Sequence, residues 1–475
     1  MQVDQLTRLR AAGKLEEMAA VAHELDLYTT AGYSVHYQSS RNFSILDLQT
    51  LIYLALAQVL REYPTLFAVP IVAKGEESYY ARLPSIDLRE VTSFVYRQDH
   101  IPEEGKGRDF ELDALLQQQV NTNFKSERGI TPVWRLIILH DFSEKQHFTA
   151  NFMAHHAIAD GASFQILHRS FHKALHDLSA LCATGSLDLN VEYISFSKDD
   201  DGIGPSLEAI HSLPIPNEPP TTNVTFHNDW LGNRPEIPSN TGYATLCLPS
   251  AVVFTQECKK NKVATPAGLN ALIGKVLYTN LPATTESMDV NIPVDLRPDL
   301  PPKVVDGVMG NFFDAFRTRT FRSDFFGQDT TETFEIWNAA RKVQTDTRKY
   351  FSRTSPSGEA YLNIAGLKNI PDLQVFLESL IGGPRTESIE LAYIGPHLPF
   401  SAVKPGTELT WRAGKATVSR CAFALGGCLQ ITVVLHNEGL TIGFAWPTCA
   451  IEKALVEKTI DGIREYFNAI EGSAK

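Results

Sequence analysis

Residues 155 to 161 read His-His-Ala-Ile-Ala-Asp-Gly, and the pattern on either side of them constrains the fold more than any other part of the chain. Trp134 to His140 reads as a strand, Asp141 to Lys145 as a turn, and Gln146 to His156 as a second strand with Phe148, Ala150, Phe152 and Ala154 on one face. His156 continues that face. Beyond Gly161 the apolar spacing becomes helical: Phe164, Leu167, Phe171, Leu175 and Leu178 form one stripe, and Asp160 or Ser163 can cap the first turn. Both histidines therefore sit where a strand ends and the chain turns into a helix.

A chain of 475 residues exceeds what one ordinary core serves, so two domains are expected. Its 43% hydrophobic and 21% charged residues are those of a soluble globular protein. The net charge of −12, with no clustered Lys/Arg stripe, argues against nucleic acid as a partner, because a phosphate backbone selects basic surfaces. No apolar run approaches the ~18 residues of a membrane span, and the opening MQVDQLTRLRAAGKLEEMAA lacks the apolar stretch of a signal peptide. A cytoplasmic monomer without a transmembrane segment is the expectation. The six cysteines, Cys182, Cys247, Cys258, Cys421, Cys428 and Cys449, have neither Cys-x-x-Cys spacing nor the density of a disulfide scaffold. They read as reduced, mostly buried small hydrophobes, with no metal site. Asn42-Phe-Ser44 and Asn223-Val-Thr225 match the glycosylation triplet but carry little weight without a secretory signal.

Residues 1 to 195 read as a mixed α/β half with a strongly apolar helix over 45 to 63 and strands near 66 to 72 and 78 to 83. Residues 196 to 240 are rich in Pro, Asn, Asp and Thr with little periodicity, as in an inter-domain connection. A second half, 241 to 475, shows helices near 265 to 280 and 331 to 352 and a strand entering NIPVDLRP at 291 to 298. It closes with a hairpin of Leu429 to Leu435 and Leu440 to Trp446 around His436 to Gly439, then a helix over 450 to 470.

Taken together, the histidine motif, LEEMAAVAHEL at 15 to 25, VLREYPTLF at 59 to 67, TPVWRLIIL at 131 to 139, NIPVDLRP, MGNFF at 309 to 313 and the closing hairpin resemble the His-His-x-x-x-Asp-Gly acyltransferases. The closest resemblance is to the fungal alcohol acetyltransferases; condensation domains and plant acyltransferases are more distant. The resemblance spans nearly the whole chain. It implies an α/β architecture of two related chloramphenicol acetyltransferase-like domains, mixed sheets flanked by helices, and an active-site tunnel between them. Two departures stand out: the plant Asp-Phe-Gly-Trp-Gly motif is missing, and the tunnel-lining Ser-Asn-x-Gly segment of many relatives has as its nearest match Ala392-Tyr393-Ile394-Gly395.

Acyl transfer to an alcohol needs a base, because a neutral hydroxyl is a poor nucleophile, and histidine titrates near working pH. The resemblance implies His156 as that base and His155 as structural; the alternative for His156 is a satisfied core histidine. It further implies that Asp160 points away from the imidazole and pairs with Arg297 of the second half, where a guanidinium fork suits a carboxylate better than lysine does. Gly161 would leave room for the arm of the co-substrate, and Asn311, Tyr393 and Gly395 are candidates for binding it. Asn311 could equally stabilise its turn. The donor implied is acetyl-CoA or another acyl-CoA, the acceptor a small-molecule alcohol of fermentation or of secondary metabolism, with no permanently bound cofactor. The positions of the first and last family-like segments leave no room for a carrier domain, favouring a diffusible donor. A free-standing condensation-type enzyme with a carrier-bound donor, and a transferase-shaped binding protein or donor-independent cyclase, are the rival readings. Ser197 to Gly202 with Glu208 nearly matches a calcium loop, but Ser197 replaces the first aspartate and Pro205 interrupts it.

Overall fold

The computed structural model describes residues 5–72, 75–99, 108–126, 129–141, 146–182, 192–196, 202–216, 230, 234–235, 240–327, 335–397, 410–436 and 439–473. The strands that build the site in the first half are β1 (Ala31–Ser39), β2 (Thr92–Tyr96), β3 (Trp134–Asp141) and β4 (His147–Ala154). The second half contributes β5 (Thr241–Leu248), β6 (Ser287–Asp295), β7 (Phe313–Phe321), β8 (Ile389–Pro396), β9 (Trp411–Arg420), β10 (Leu429–His436) and β11 (Gly439–Pro447). The principal helices are α1 (Lys14–Glu24), α2 (Ile45–Glu62), α3 (Gly161–Cys182), α4 (Thr265–Asn280), α5 (Trp337–Phe351) and α6 (Lys453–Ser473).

Alternation builds the first sheet. Tyr33, Val35 and Tyr37 of β1 and Phe148, Ala150 and Phe152 of β4 are fully buried, as is the stripe of α2 from Leu48 to Leu60. Phe164, Leu167, Phe171 and Leu175 of α3 join the same core, each large side chain worth about 1.5–3 kcal/mol on burial. The strand order is β9-β1-β4-β3-β2, with β2 and β3 parallel and the remaining neighbours antiparallel. The second sheet runs β5-β11-β10-β8-β6-β7, with β8 parallel to both β6 and β10. Its core joins Val290, Leu391, Ile431, Ile442 and Phe444 to Leu272 and Leu277 of α4 and to Val456, Ile460, Ile463 and Phe467 of α6. These two large mixed sheets flanked by helices are those the resemblance implies; among the described residues a three-stranded sheet and a two-stranded one accompany them.

One strand crosses between the halves. β9 belongs to the second half by sequence but pairs antiparallel with β1 of the first sheet, placing Val418 opposite Tyr33. Trp411 anchors it: the indole is fully buried, stacks on Phe43 and donates from Nε1 to Ser179 Oγ at 2.8 Å. A pairing strand cannot be detached without exposing its ladder partners, so the first sheet is not built from residues before 196 alone.

Other differences from the sequence reading are local. The strand before the motif ends at Ala154, not at His156, and residues 156 to 158 form a turn. Glu208, at the far end of the calcium-like segment, instead accepts from the backbone N–H of Lys14 at the start of α1 at 2.6 Å. Ser197 to Asp201 and Asn223 to Thr225 lie outside the described residues, as does most of the 196 to 240 connection. Within that connection Leu207 and Leu213 are buried against Leu296, Leu300 and Phe312 of the second half. Cys258, Cys421 and Cys428 are buried, Cys247 is partly buried and Cys449 is exposed, in line with mostly buried cysteines. No described helix is long and apolar enough to cross a membrane.

Candidate active site

The histidine loop is tied at both ends. Leaving β4, the His155 N–H donates to Val133 O at 2.8 Å; entering α3, Asp160 Oδ1 accepts from the Ser163 N–H at 2.9 Å, an N-cap. His155 is turned into the protein: its Nδ1 accepts from the Ala157 N–H at 2.9 Å and its ring lies 4.4 Å from that of His23. His156 is only half-buried, between the rings of Tyr28 at 5.5 Å and Phe313 at 5.4 Å. Its Nδ1 lies 3.2 Å from Asn311 Oδ1, while Asn311 Nδ2 donates to the carbonyls of His156 and Ala157, each at 2.8 Å. Those two carbonyls orient the amide, and an amide oxygen can only accept, so Nδ1 carries the proton and Nε2 keeps its lone pair. Burial, with the Arg420 guanidinium adding to it, holds the imidazole below its ordinary pKa.

Asp160 and Arg297 meet across the halves. The guanidinium donates from Nη1 to Oδ2 at 2.8 Å and from Nη2 to Oδ1 at 3.0 Å, a two-pronged pair. The carboxylate also accepts from the Ser163 N–H and hydroxyl and from the Phe312 N–H, five bonds in all. Burial pushes this carboxyl up, but the Arg297 charge and the N–H donors outweigh it and hold it below the usual range. So engaged, Asp160 has no hydrogen bond to His156. Ser163 completes the clasp by accepting from the Gly310 N–H at 3.0 Å, next to Asn311.

The remaining candidates fall elsewhere. A Cβ on Gly161 would sit 2.9 Å from Cδ1 of Ile394, so the space this glycine leaves is filled by a side chain of β8 and not by open room. Asn311, a candidate for the co-substrate, is buried with its amide engaged by the histidine loop. Tyr393 packs on the core of the second sheet. Gly395 adopts φ +80 where the register with β10 shifts, so its backbone requires glycine whatever binds nearby. A cavity of about 180 Å³ lies between Ala162, Gln165 and Ile166 of α3 and Arg297, Val305 and Pro396 of the second half. Among the described residues no cluster of His, Cys, Asp or Glu could hold a metal ion. Residues the sequence reading missed are Tyr28, Phe313 and Arg420. Phe313 was within reach, two residues from Asn311 in MGNFF; Tyr28 and Arg420 lie in segments without local signal.

The family model described as alcohol acetyltransferase matches residues 11–231. A probable alcohol acetyltransferase of Aspergillus fumigatus, crmB, is 35% identical over 463 residues, covering 96% of this chain and 98% of the relative. Among solved structures, the TRI3 trichothecene 15-O-acetyltransferase of Fusarium sporotrichioides shares the fold with a TM-score of 0.69 at 12% identity, covering 98% of both chains. The first condensation domain of the calcium-dependent antibiotic synthetase shares it at 0.60 and 12% identity, covering 96% of this chain and 95% of the domain. A relative this similar over nearly its full length, carried on the same fold, makes this chain a member of the alcohol acetyltransferase family.

Proposed function

We propose that the protein moves an acetyl or other short acyl group from its CoA thioester to an alcohol, with His156 as general base. The observation that carries this is the Asn311 bond to His156 Nδ1, which leaves Nε2 as an acceptor on a half-buried ring. Nε2 takes the hydroxyl proton as the oxygen attacks the thioester carbon. The tetrahedral adduct collapses, the C–S bond breaks, and the proton passes to the departing thiolate, so ester and free CoA leave with histidine neutral again. Asp160, Arg297 and His155 hold the loop, and Gly161 lets α3 approach Ile394. The cavity at the start of α3 is our choice for the passage of the donor's arm.

We take residues 1–195 and 241–475 as two lobes around this site, with β9 exchanged between them. The acceptor is read as an alcohol of secondary metabolism, by analogy with the trichothecene that names TRI3. A cytoplasmic monomer fits a reaction whose donor is a soluble acyl-CoA.

The test is release of free thiol by the purified protein from acetyl-CoA with a panel of alcohols. His156→Ala should cut the rate by about 10² to 10⁴, and a fully active variant would end the base assignment. Transfer seen only from a phosphopantetheinylated carrier would make this a condensation-type enzyme, and product formed without any donor would remove it from acyl transfer.

A further inference from the structure

Thioester alcoholysis needs more than a base. As the alcohol oxygen bonds to the thioester carbon, the carbonyl π pair moves onto oxygen, and a donor aimed at that oxygen is commonly the largest single aid to such a reaction. Most side-chain donors around the histidine loop are already engaged. Asn311 Nδ2 holds two carbonyls, the Ser163 hydroxyl holds Asp160, and the Nη atoms of Arg297 hold Asp160 and Asp295. Arg297 keeps an Nε without a partner, but that residue lines the cavity at the start of α3.

Beside the imidazole the situation is different. Tyr28, in the loop between α1 and β1, is 7% exposed, and its ring meets that of His156 edge-on. Its hydroxyl is buried with no hydrogen-bond partner, and so is Nε of Arg420, whose guanidinium lies 5.6 Å from the Tyr28 ring centroid. Arg420 is held on its other side by the ion pair with Glu390 of β8. The guanidinium lies near enough to pull on the phenol oxygen, and since arginine can only donate, the phenol proton is left without an acceptor. A buried hydroxyl with an unmade bond destabilises the fold, and phenylalanine would make the same ring contacts without that cost. Burial raises the phenol pKa, against a smaller opposing pull from Arg420, so the group stays a protonated donor at neutral pH.

We propose that Tyr28 is a catalytic residue whose hydroxyl donates to the thioester carbonyl oxygen as it becomes the oxyanion, with Arg420, fixed by Glu390, as the positioning residue that holds the phenol beside His156. The step balances: the proton goes from alcohol to Nε2, the π pair to the carbonyl oxygen held by Tyr28, and on collapse that pair re-forms C=O while the C–S pair leaves with sulfur. The inference rests on the acyl transfer proposed above.

Tyr28→Phe should lower kcat by about 10² to 10³ with the KM for acetyl-CoA changed no more than a few-fold, the pH profile unmoved and thermal stability equal or higher. A second measurement needs no turnover. In the His156→Ala background, the infrared stretch of acetyl-CoA labelled with carbon-13 at the carbonyl should lie at lower wavenumber with Tyr28 intact than after Tyr28→Phe is added. An unchanged kcat, an effect confined to the KM of the alcohol, or identical stretches would overturn the role of Tyr28. Absent thiol release by the wild type, or release insensitive to His156→Ala, would count instead against the acyl transfer on which it rests.

Discussion

At the scale of single residues, the base role proposed for His156 makes the rate depend on the protonation state of its ring. Only the neutral ring can accept a proton, and burial with the Arg420 charge holds its pKa below the ordinary value. The kcat/KM profile should therefore fall on its acid side with a midpoint below pH ~6.5, the value of an unperturbed histidine. Arg420→Gln removes a cation that disfavours imidazolium, so the pKa should rise and the fall should begin at higher pH. A wild-type rate that is flat down to pH 4, or a fall that starts earlier in wild type than in the variant, would contradict this account.

At the scale of elements, the site exists because the cap of α3 and the turn after β6 share one ion pair. Asp160 is 5% and Arg297 10% exposed at the side chain, so removing either partner strands a buried charge, a loss of about 3–5 kcal/mol. Asp160→Ala also removes a helix cap, about 1 kcal/mol more. Each single alanine variant should unfold at clearly lower denaturant, and the double variant should be no worse than the poorer single. Strictly additive losses in that double-mutant cycle would mean the two side chains do not meet in solution.

At the scale of the whole molecule, several histidines are buried against the first sheet and α3. His168 is 1% exposed, with Nδ1 beside the Tyr37 hydroxyl and Nε2 donating to Tyr33 O; His397 sits on the Tyr33 hydroxyl, and His172 Nε2 donates to Trp411 O of the crossing strand. Burial lowers their pKa, to about 3 for His168 and about 4 for His397. In the unfolded chain each takes up a proton near pH ~6.5 while the folded one does not, so stability is full above that value and falls as pH drops toward the lowered pKa. Each such histidine removes up to about 1.4 kcal/mol per pH unit in that window. Urea midpoints should hold steady from pH 8 to 7 and decline between pH 6.5 and 4.5. A midpoint unchanged at pH 4.5 would mean these rings are solvated.

The motif, the strand before it, the helix after it and even Arg297 were legible in the chain, because periodicity is local and the resemblance pairs that arginine with Asp160. The end of β4 was misjudged by two residues, since alternation continues through His156 whereas the ladder stops when the backbone turns to meet the capped helix. What surrounds His156 was decided only by tertiary structure. Asn311 lies 155 residues away along the chain and reaches the imidazole because its neighbour Gly310 is held to Ser163 beside the Asp160–Arg297 pair. Arg420 comes near the imidazole because β9 pairs with β1, which sets it opposite Ala31, and Tyr28, three residues before Ala31, lies beside both Arg420 and His156. Periodicity says which face of an element is apolar; which distant face it meets, and so which side chains come to share one site, is a property of the packed whole.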